Sequence, residues 1–216
     1  MRPLSLLLEL LYPPKCPFCG RILERGEEGW CVCCQEDLPW TGADEGKEVE
    51  GCAACLSPLW YRDGVRDGVR RFKFKGGRGC ARLFGQLMAQ CLQDRWTGRV
   101  DLVTWAPLHP ERKRRRGYDQ AELLARRVGE LTGTPVEGVL EKVRATAVQS
   151  QAGEDGARQA NVRGAYAAVP GLDLTGKRVA LVDDVATSGA TLSECAAALR
   201  RAGAECVVGL TLARAR

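Results

Sequence analysis

The stretch Val179-Ala-Leu-Val-Asp183-Asp184-Val-Ala-Thr187-Ser188-Gly189-Ala190-Thr191 decides the fold. Its first four residues form a short apolar run, suited to a strand buried on both faces. Two carboxylates stand where that strand ends. A small, hydroxyl-rich turn follows, and then Leu192, Cys195, Ala196 and Leu199 recur at helical spacing. The loop therefore lies between the carboxyl end of a strand and the amino end of a helix, where unpaired N–H groups and partial positive charge hold phosphate well. Thr187, Ser188 and Thr191 add hydroxyl donors, Ala190 adds a backbone N–H, and Gly189 lets the backbone approach closely. Asp183 and Asp184 cannot serve a phosphate. They suit ribose hydroxyls, or Mg²⁺ through water. Competing phosphate motifs are poor: no Gly-x-Gly-x-x-Gly follows a predicted strand, and residues 42–47 fall one residue short of a P-loop.

Apolar run, acid pair, then Thr-Ser-Gly-x-Thr resembles the 5-phosphoribosyl 1-pyrophosphate (PRPP) signature of type I phosphoribosyltransferases. On that resemblance Asp183 and Asp184 are the catalytic candidates, and Thr187, Ser188, Gly189, Ala190 and Thr191 the 5′-phosphate cradle. The bland alternative is a strand-turn-helix with an acidic turn and a capping serine.

The remaining composition fits one core with a small appendage. The chain has 216 residues, 45% hydrophobic and 27% charged, with a formal net charge of +5. That mild positive bias suits anionic ligands without by itself arguing for nucleic acid. The apolar start of the chain is interrupted by Glu9, has no small-residue cleavage site, and is too short to span a bilayer, which takes about 20 apolar residues. It reads as a short helix docked on the body and stopped by Pro13-Pro14. A cytoplasmic protein is expected, where thiols stay reduced and paired cysteines point to metal.

Seven of the eleven cysteines precede residue 56. Cys16-Pro-Phe-Cys19-Gly20 reads as a zinc knuckle, Cys31 and Cys34 form a second pair, and Cys52 and Cys55 a third. Four thiolates complete a structural Zn²⁺ site, so one pair is surplus. Cys16, Cys19, Cys31 and Cys34 are the favoured set, with Cys52 and Cys55 as substitutes; the second and third pairs have the spacing of a zinc ribbon. The expected division is a zinc module over residues 1–58 and an α/β domain over 59–216. Cys80, Cys91, Cys195 and Cys206 lie in apolar patterns and read as core.

Residues 61–75 carry a doublet of Asp-Gly-Val-Arg; Lys73, Lys75 and Arg78 could reach phosphate near the glycines that follow, and the equal alternative is a solvated basic turn. An amphipathic helix follows around Leu83 to Leu92. Asp101-Leu-Val-Thr-Trp is a second buried-strand candidate. Its carboxyl end leads into Arg112, Lys113, Arg114, Arg115 and Arg116, a charge cluster at the sheet edge where open α/β sheets bind ligands. Lone His109 reads as structural. The polar residues 141–163, with Arg144 and Arg158, read as a functional loop. Residues 164–169 and 206–212 read as strands. Strands alternating with helices from residue 100 onward predict a mostly parallel α/β sheet.

Three blocks together resemble the ComF family: Ala-Pro-Leu-His with basic residues before Arg116-Gly-Tyr-Asp119-Gln-Ala-Glu, Arg144-x-Thr-x-x-Gln149 with Arg158-x-x-Asn161-x-x-Gly-Ala-Tyr166, and the cysteine module ahead of the PRPP-type loop. Asp119 stands where that family usually has Asn. The resemblance implies a zinc finger before a type I phosphoribosyltransferase domain, and a role in competence, with internalised single-stranded DNA handled beside a helicase and a recombination mediator. As an enzyme, the chain would bind PRPP with Mg²⁺ and use Arg112, Lys113, Arg114, Arg116, Arg144 and Arg158 on the departing pyrophosphate; no residue identifies the acceptor base. As a non-catalytic adaptor, it would keep the phosphate site and grip single-stranded DNA or the helicase. For that, Phe72, Phe74 and Tyr118 are the aromatics that interleave with the basic runs.

Overall fold

The computed structural model describes residues 13–42, 46–74, 77–144 and 162–216. The helix expected before Pro13 lies outside them. So do Lys75, Thr146, Gln149, Arg158 and Asn161. Among the described residues, no helix is long and apolar enough to cross a membrane.

The apolar run became the centre of a parallel sheet. Strand β6 (Arg178–Ala186) lies between β3 (Leu102–Trp105) and β7 (Cys206–Arg214), with Leu102 opposite Val179 and Val182 opposite Leu210. On its outer side β7 carries β1 (Ala54–Leu56) and then β2 (Leu59–Trp60), both parallel to it. Residues 54–60, which straddle the expected division at 58/59, thus pair with the last strand of the chain.

Burial on both faces follows the period of two. Ala180 and Val182 point into a cluster with Phe72, Phe84, Leu124 and Leu210, while Val179 and Leu181 point into another with Leu192, Cys195, Leu199 and Val207. Helices α3 (Cys80–Arg95) and α5 (Gln120–Thr132) supply the first cluster, and α6 (Ala190–Arg201) the second. Cys91 and Cys195 are buried as expected, Cys80 and Cys206 partly so.

Residues 63–74 are not a turn. They form helix α2 (Asp63–Phe74), whose buried face is Val65, Gly68, Val69 and Phe72. The Asp-Gly-Val-Arg doublet is successive helical turns, with each valine four residues from the next. Gly68 is there for close approach: a Cβ at that position would stand 3.0 Å from the Pro17 carbonyl oxygen and 3.2 Å from the Phe18 ring. The helix thereby lies on the knuckle. Phe84 joins the two, with its ring centroid 5.2 Å from that of Phe18 and 5.6 Å, edge-on, from that of Phe72. Phe84→Ala should therefore cost about 3–5 kcal/mol, read as a lowered urea midpoint; a loss below ~1 kcal/mol would mean this seam carries little of the stability.

The run of basic residues is also helical. Helix α4 (Pro110–Arg116) starts on a proline at its first position, whose missing N–H costs nothing there, and stops at left-handed Gly117. Strand β5 (Tyr166–Ala168) falls where a strand was expected. It pairs antiparallel with β4 (Leu140–Lys142) in a separate two-stranded sheet, with Lys142 opposite Tyr166. That small sheet packs on α6 at the carboxyl edge of the main sheet.

Candidate ligand site and candidate metal centre

At the carboxyl end of β6, Asp184 donates its N–H to Asp183 Oδ1 at 2.7 Å. Asp184 Oδ1 also takes an ion pair from Lys73 Nζ, 2.8 Å away on the last turn of α2. Burial and the adjacent Asp184 push the Asp183 carboxyl up to about 7, against the pull of Lys73. Burial would lower the Lys73 ammonium, but Asp184 and Asp183 outweigh it and hold the ammonium above the usual lysine range.

Beyond the acid pair, Thr187 is exposed, Ser188 is half-buried, and Ala190 begins α6. Gly189 occupies the cap position at φ +81° and brings no side chain to the first N–H groups of the helix. A Cβ there would also sit 3.0 Å from Val49 Cγ2, so glycine is required twice over.

The small sheet forms a hood over this loop. Lys142 Nζ donates to the Tyr166 hydroxyl at 2.9 Å. Burial raises the Tyr166 phenol, as do nearby Cys195 and Asp183, while the Thr191 hydroxyl lies against it and opposes them. Burial, then Arg112, lowers the Lys142 ammonium. The ends of the hood are tied by Arg144 Nη2 donating to the Arg163 carbonyl at 2.8 Å and by Glu194 accepting the Gly164 N–H at 2.7 Å.

Lys73, the partner of Asp184, also lines a cleft of about 260 Å³ with Phe74, Arg112, Arg115, Arg116 and Tyr118. Helical geometry selects these cations, because positions 112, 115 and 116 share one face of α4. Arg116 stacks over the Phe74 ring at 5.0 Å and bonds Gln120. Lys113 turns away to pair with Glu122 at 2.9 Å, and Arg114 is not among the lining residues. Of the residues expected on pyrophosphate, then, Arg112 and Arg116 border the cleft, Arg144 belongs to the hood, and Arg158 is outside the described residues.

Two of the three aromatics expected beside the basic runs are core. Phe72 is fully buried, and Tyr118 is 8% exposed with its hydroxyl donated to the Phe72 carbonyl. Phe74 is 69% exposed. Asp119, in place of the expected Asn, caps α5: it accepts N–H bonds from Ala121 at 3.1 Å and Leu108 at 2.8 Å. The two bonds fall on different oxygens, Oδ1 for Ala121 and Oδ2 for Leu108, so an Asn, with a single acceptor oxygen, could keep the α5 cap but not also accept the Leu108 N–H.

Lys73, Arg115, Lys142 and Tyr166 complete a site that the sequence reading only partly assembled. The sequence sets Lys73 within reach of phosphate, but its carboxylate partner lies far downstream, at the end of β6. The proline and glycine that bracket α4 were the signal for the face carrying Arg115.

The cysteine cluster stands apart from this cleft. The sulfurs of Cys16, Cys19, Cys31 and Cys34 all lie within 4.8 Å of one another, with Cys19 and Cys31 3.6 Å apart. Four thiolates about 2.3 Å from a tetrahedral zinc stand about 3.8 Å apart, so the set fits that ion. The knuckle closes through the Gly20 N–H donated to the Cys16 carbonyl at 2.8 Å, with Gly20 at φ +80°. Cys31 is the cap residue of α1 (Val32–Asp37). Burial raises its thiol, but the Cys34 N–H, the neighbouring thiols and the Arg21 guanidinium outweigh burial and bring it to about 6. Arg21 is held by Glu24 at 2.6 Å and Glu27 at 2.5 Å, and Glu27 accepts the Val32 N–H at 2.9 Å, bracing knuckle against helix. Cys33 is exposed beside the cluster. The substitute pair goes elsewhere: Cys55 lies in β1 against Gly209, and Cys52 packs against the cluster on the α6 side of the sheet.

Parallel sheet, acid pair and helix-capped loop are those of a phosphoribosyltransferase-type fold, and the phosphoribosyl transferase domain family matches residues 114–216. The chain belongs to the competence protein F family. It is 30% identical to competence protein F of Haemophilus influenzae, over 93% of this chain and 97% of that one. It is 29% identical to DNA utilization protein YhgH of Salmonella typhi, over 92% and 96%. It is 26% identical to competence protein ComFC of Streptococcus pneumoniae, over 92% and 87%.

Proposed function

We propose that the protein binds PRPP, or a closely related sugar phosphate, and serves the uptake and use of DNA. The observation that carries the ligand is one arrangement: an acid pair that leads into a helix-capped, hydroxyl-bearing loop and is joined through Lys73 to a cationic cleft. A 5′-phosphate would meet the first-turn N–H groups of α6 and the hydroxyls of Thr187 and Ser188. Asp183 and Asp184 would accept from the ribose hydroxyls. Arg112, Arg115 and Arg116 would face the pyrophosphate. Should that group leave, the carboxylates would stabilise positive charge at the anomeric carbon and the arginines the departing charge. Asp183 and Asp184 also suit Mg²⁺, which would neutralise the diphosphate when bound. The DNA role is supported by the names of the relatives, competence protein and DNA utilization protein.

The zinc-bearing module would be structural, its reduced thiolates at home in the cytoplasm. An adaptor that stacks single-stranded DNA on aromatics is less well supported, because Phe72 and Tyr118 are buried. Any helicase or recombination mediator would bind some other surface.

Calorimetry with PRPP and Mg²⁺ tests the ligand. Thr187→Ala with Thr191→Ala should weaken binding by ~1.5–3 kcal/mol for each charge-assisted bond lost. Unchanged affinity would remove the loop as the phosphate cradle.

A further inference from the structure

The contact between Lys73 and Asp184 does more than fix a helix end. Lys73 comes from α2, outside the 114–216 match, yet its ammonium rests on one of the two carboxylates meant for the sugar. Its side chain is 26% exposed and that of Asp184 12%. Lys73 also lines the cationic cleft beside Arg112, Arg115 and Arg116. One ammonium thus borders both halves of the site.

That placement sets up a conflict. With Lys73 in place, the charge of Asp184 is already neutralised. A metal ion or a positive charge developing on the sugar would be repelled by the ammonium at the same spot. The remedy is within reach of a rotating side chain, because the cleft would receive a diphosphate. Lysine is suited to the transfer: its ammonium is a compact charge on a four-carbon stem with three rotatable donors, and it needs no fixed planar partner. Moving from one anionic oxygen to another also keeps it paired throughout, so the exchange stays reversible.

We propose that Lys73 is an exchangeable counter-ion: it holds Asp184 in the ligand-free protein and passes to the diphosphate when the sugar phosphate binds, releasing the carboxylate pair for the sugar. This rests on the sugar phosphate reading above.

The two halves of the ligand separate this role from a structural one. The full-length protein is titrated with ribose 5-phosphate and with inorganic pyrophosphate, each with Mg²⁺, by calorimetry. Lys73→Met should bind pyrophosphate about tenfold or more weakly, the loss of a charge-assisted bond. The same variant should bind ribose 5-phosphate several-fold more tightly, because its competitor is gone. Lys73→Arg should restore the pyrophosphate affinity. In the unaltered protein, pyrophosphate should raise the affinity for ribose 5-phosphate, and the reverse by the same factor. That last measurement needs no variant and covers the case in which Lys73→Met does not fold. Parallel weakening of both compounds, no change in either, or independent binding in the unaltered protein would each overturn the exchange while leaving the sugar phosphate site standing. Failure of the unaltered protein to bind either compound would overturn both.

Discussion

Cys16→Ser is expected to strip the metal from the protein and unfold the segment around residues 13–42. Purified protein should carry about one zinc per chain, held by four thiolates, and the variant should lose it to a mild chelator. Cys16 is 1% exposed and Phe18 fully buried, so the knuckle is part of the main core. The substitute pair cannot take over, because Cys52 and Cys55 are engaged at the sheet. Zinc binding to such sites is worth about 10–16 kcal/mol in isolated fingers and is coupled to folding. Its loss should expose Phe84 to water and lower the thermal midpoint sharply. Cys52→Ser, by contrast, should keep its metal. A folded Cys16→Ser protein with one tightly held zinc would sink the four-thiolate assignment.

Asp183→Asn should abolish PRPP binding and at the same time stabilise the ligand-free protein at high pH. Burial and the neighbouring Asp184 push the folded carboxyl up to about 7, against about 4 in an unfolded chain. The folded state therefore binds more protons than the unfolded state between these values, and stability falls as pH rises through that window. Above pH 7 the full cost of the buried charge is present. Asn carries no charge there, so the variant should gain on the order of 2–4 kcal/mol at pH 8 and little near pH 4. Urea unfolding at the two pH values gives the comparison. A variant less stable than the parent at pH 8, or one that binds PRPP equally well, would contradict the placement of Asp183. On the proposed function, Asp183 would be kept for its ligand at a cost to the fold.

The strand-loop-helix unit was legible because its chemistry and its periodicity agree locally. An apolar run of four, two acids and a small turn have few other uses together. The knuckle was legible for the same reason. Helix α2 was not, since Gly64 and Gly68 and a crowd of arginines resemble a turn; the reason for Gly68 is the carbonyl of Pro17, fifty-one residues back. The partner of β5 could not be read either, because β4 lies more than twenty residues upstream across a polar stretch. Pairings such as Lys73 with Asp184 belong to the tertiary level, where local pattern is silent. Helix α4 was the avoidable miss, as Pro110 and Gly117 were both in plain view.

The way β1 and β2 flank β7 has a practical outcome for anyone trimming the chain. A fragment starting at residue 59 would lack β1 and the Ala53 N–H donated to the Val207 carbonyl. Half of β7 would then present bare backbone beside Val207, Val208 and Leu210, a sticky ribbon ready to recruit another copy. The C-terminal region made alone should precipitate, whereas one begun ahead of residue 46 keeps that flank covered.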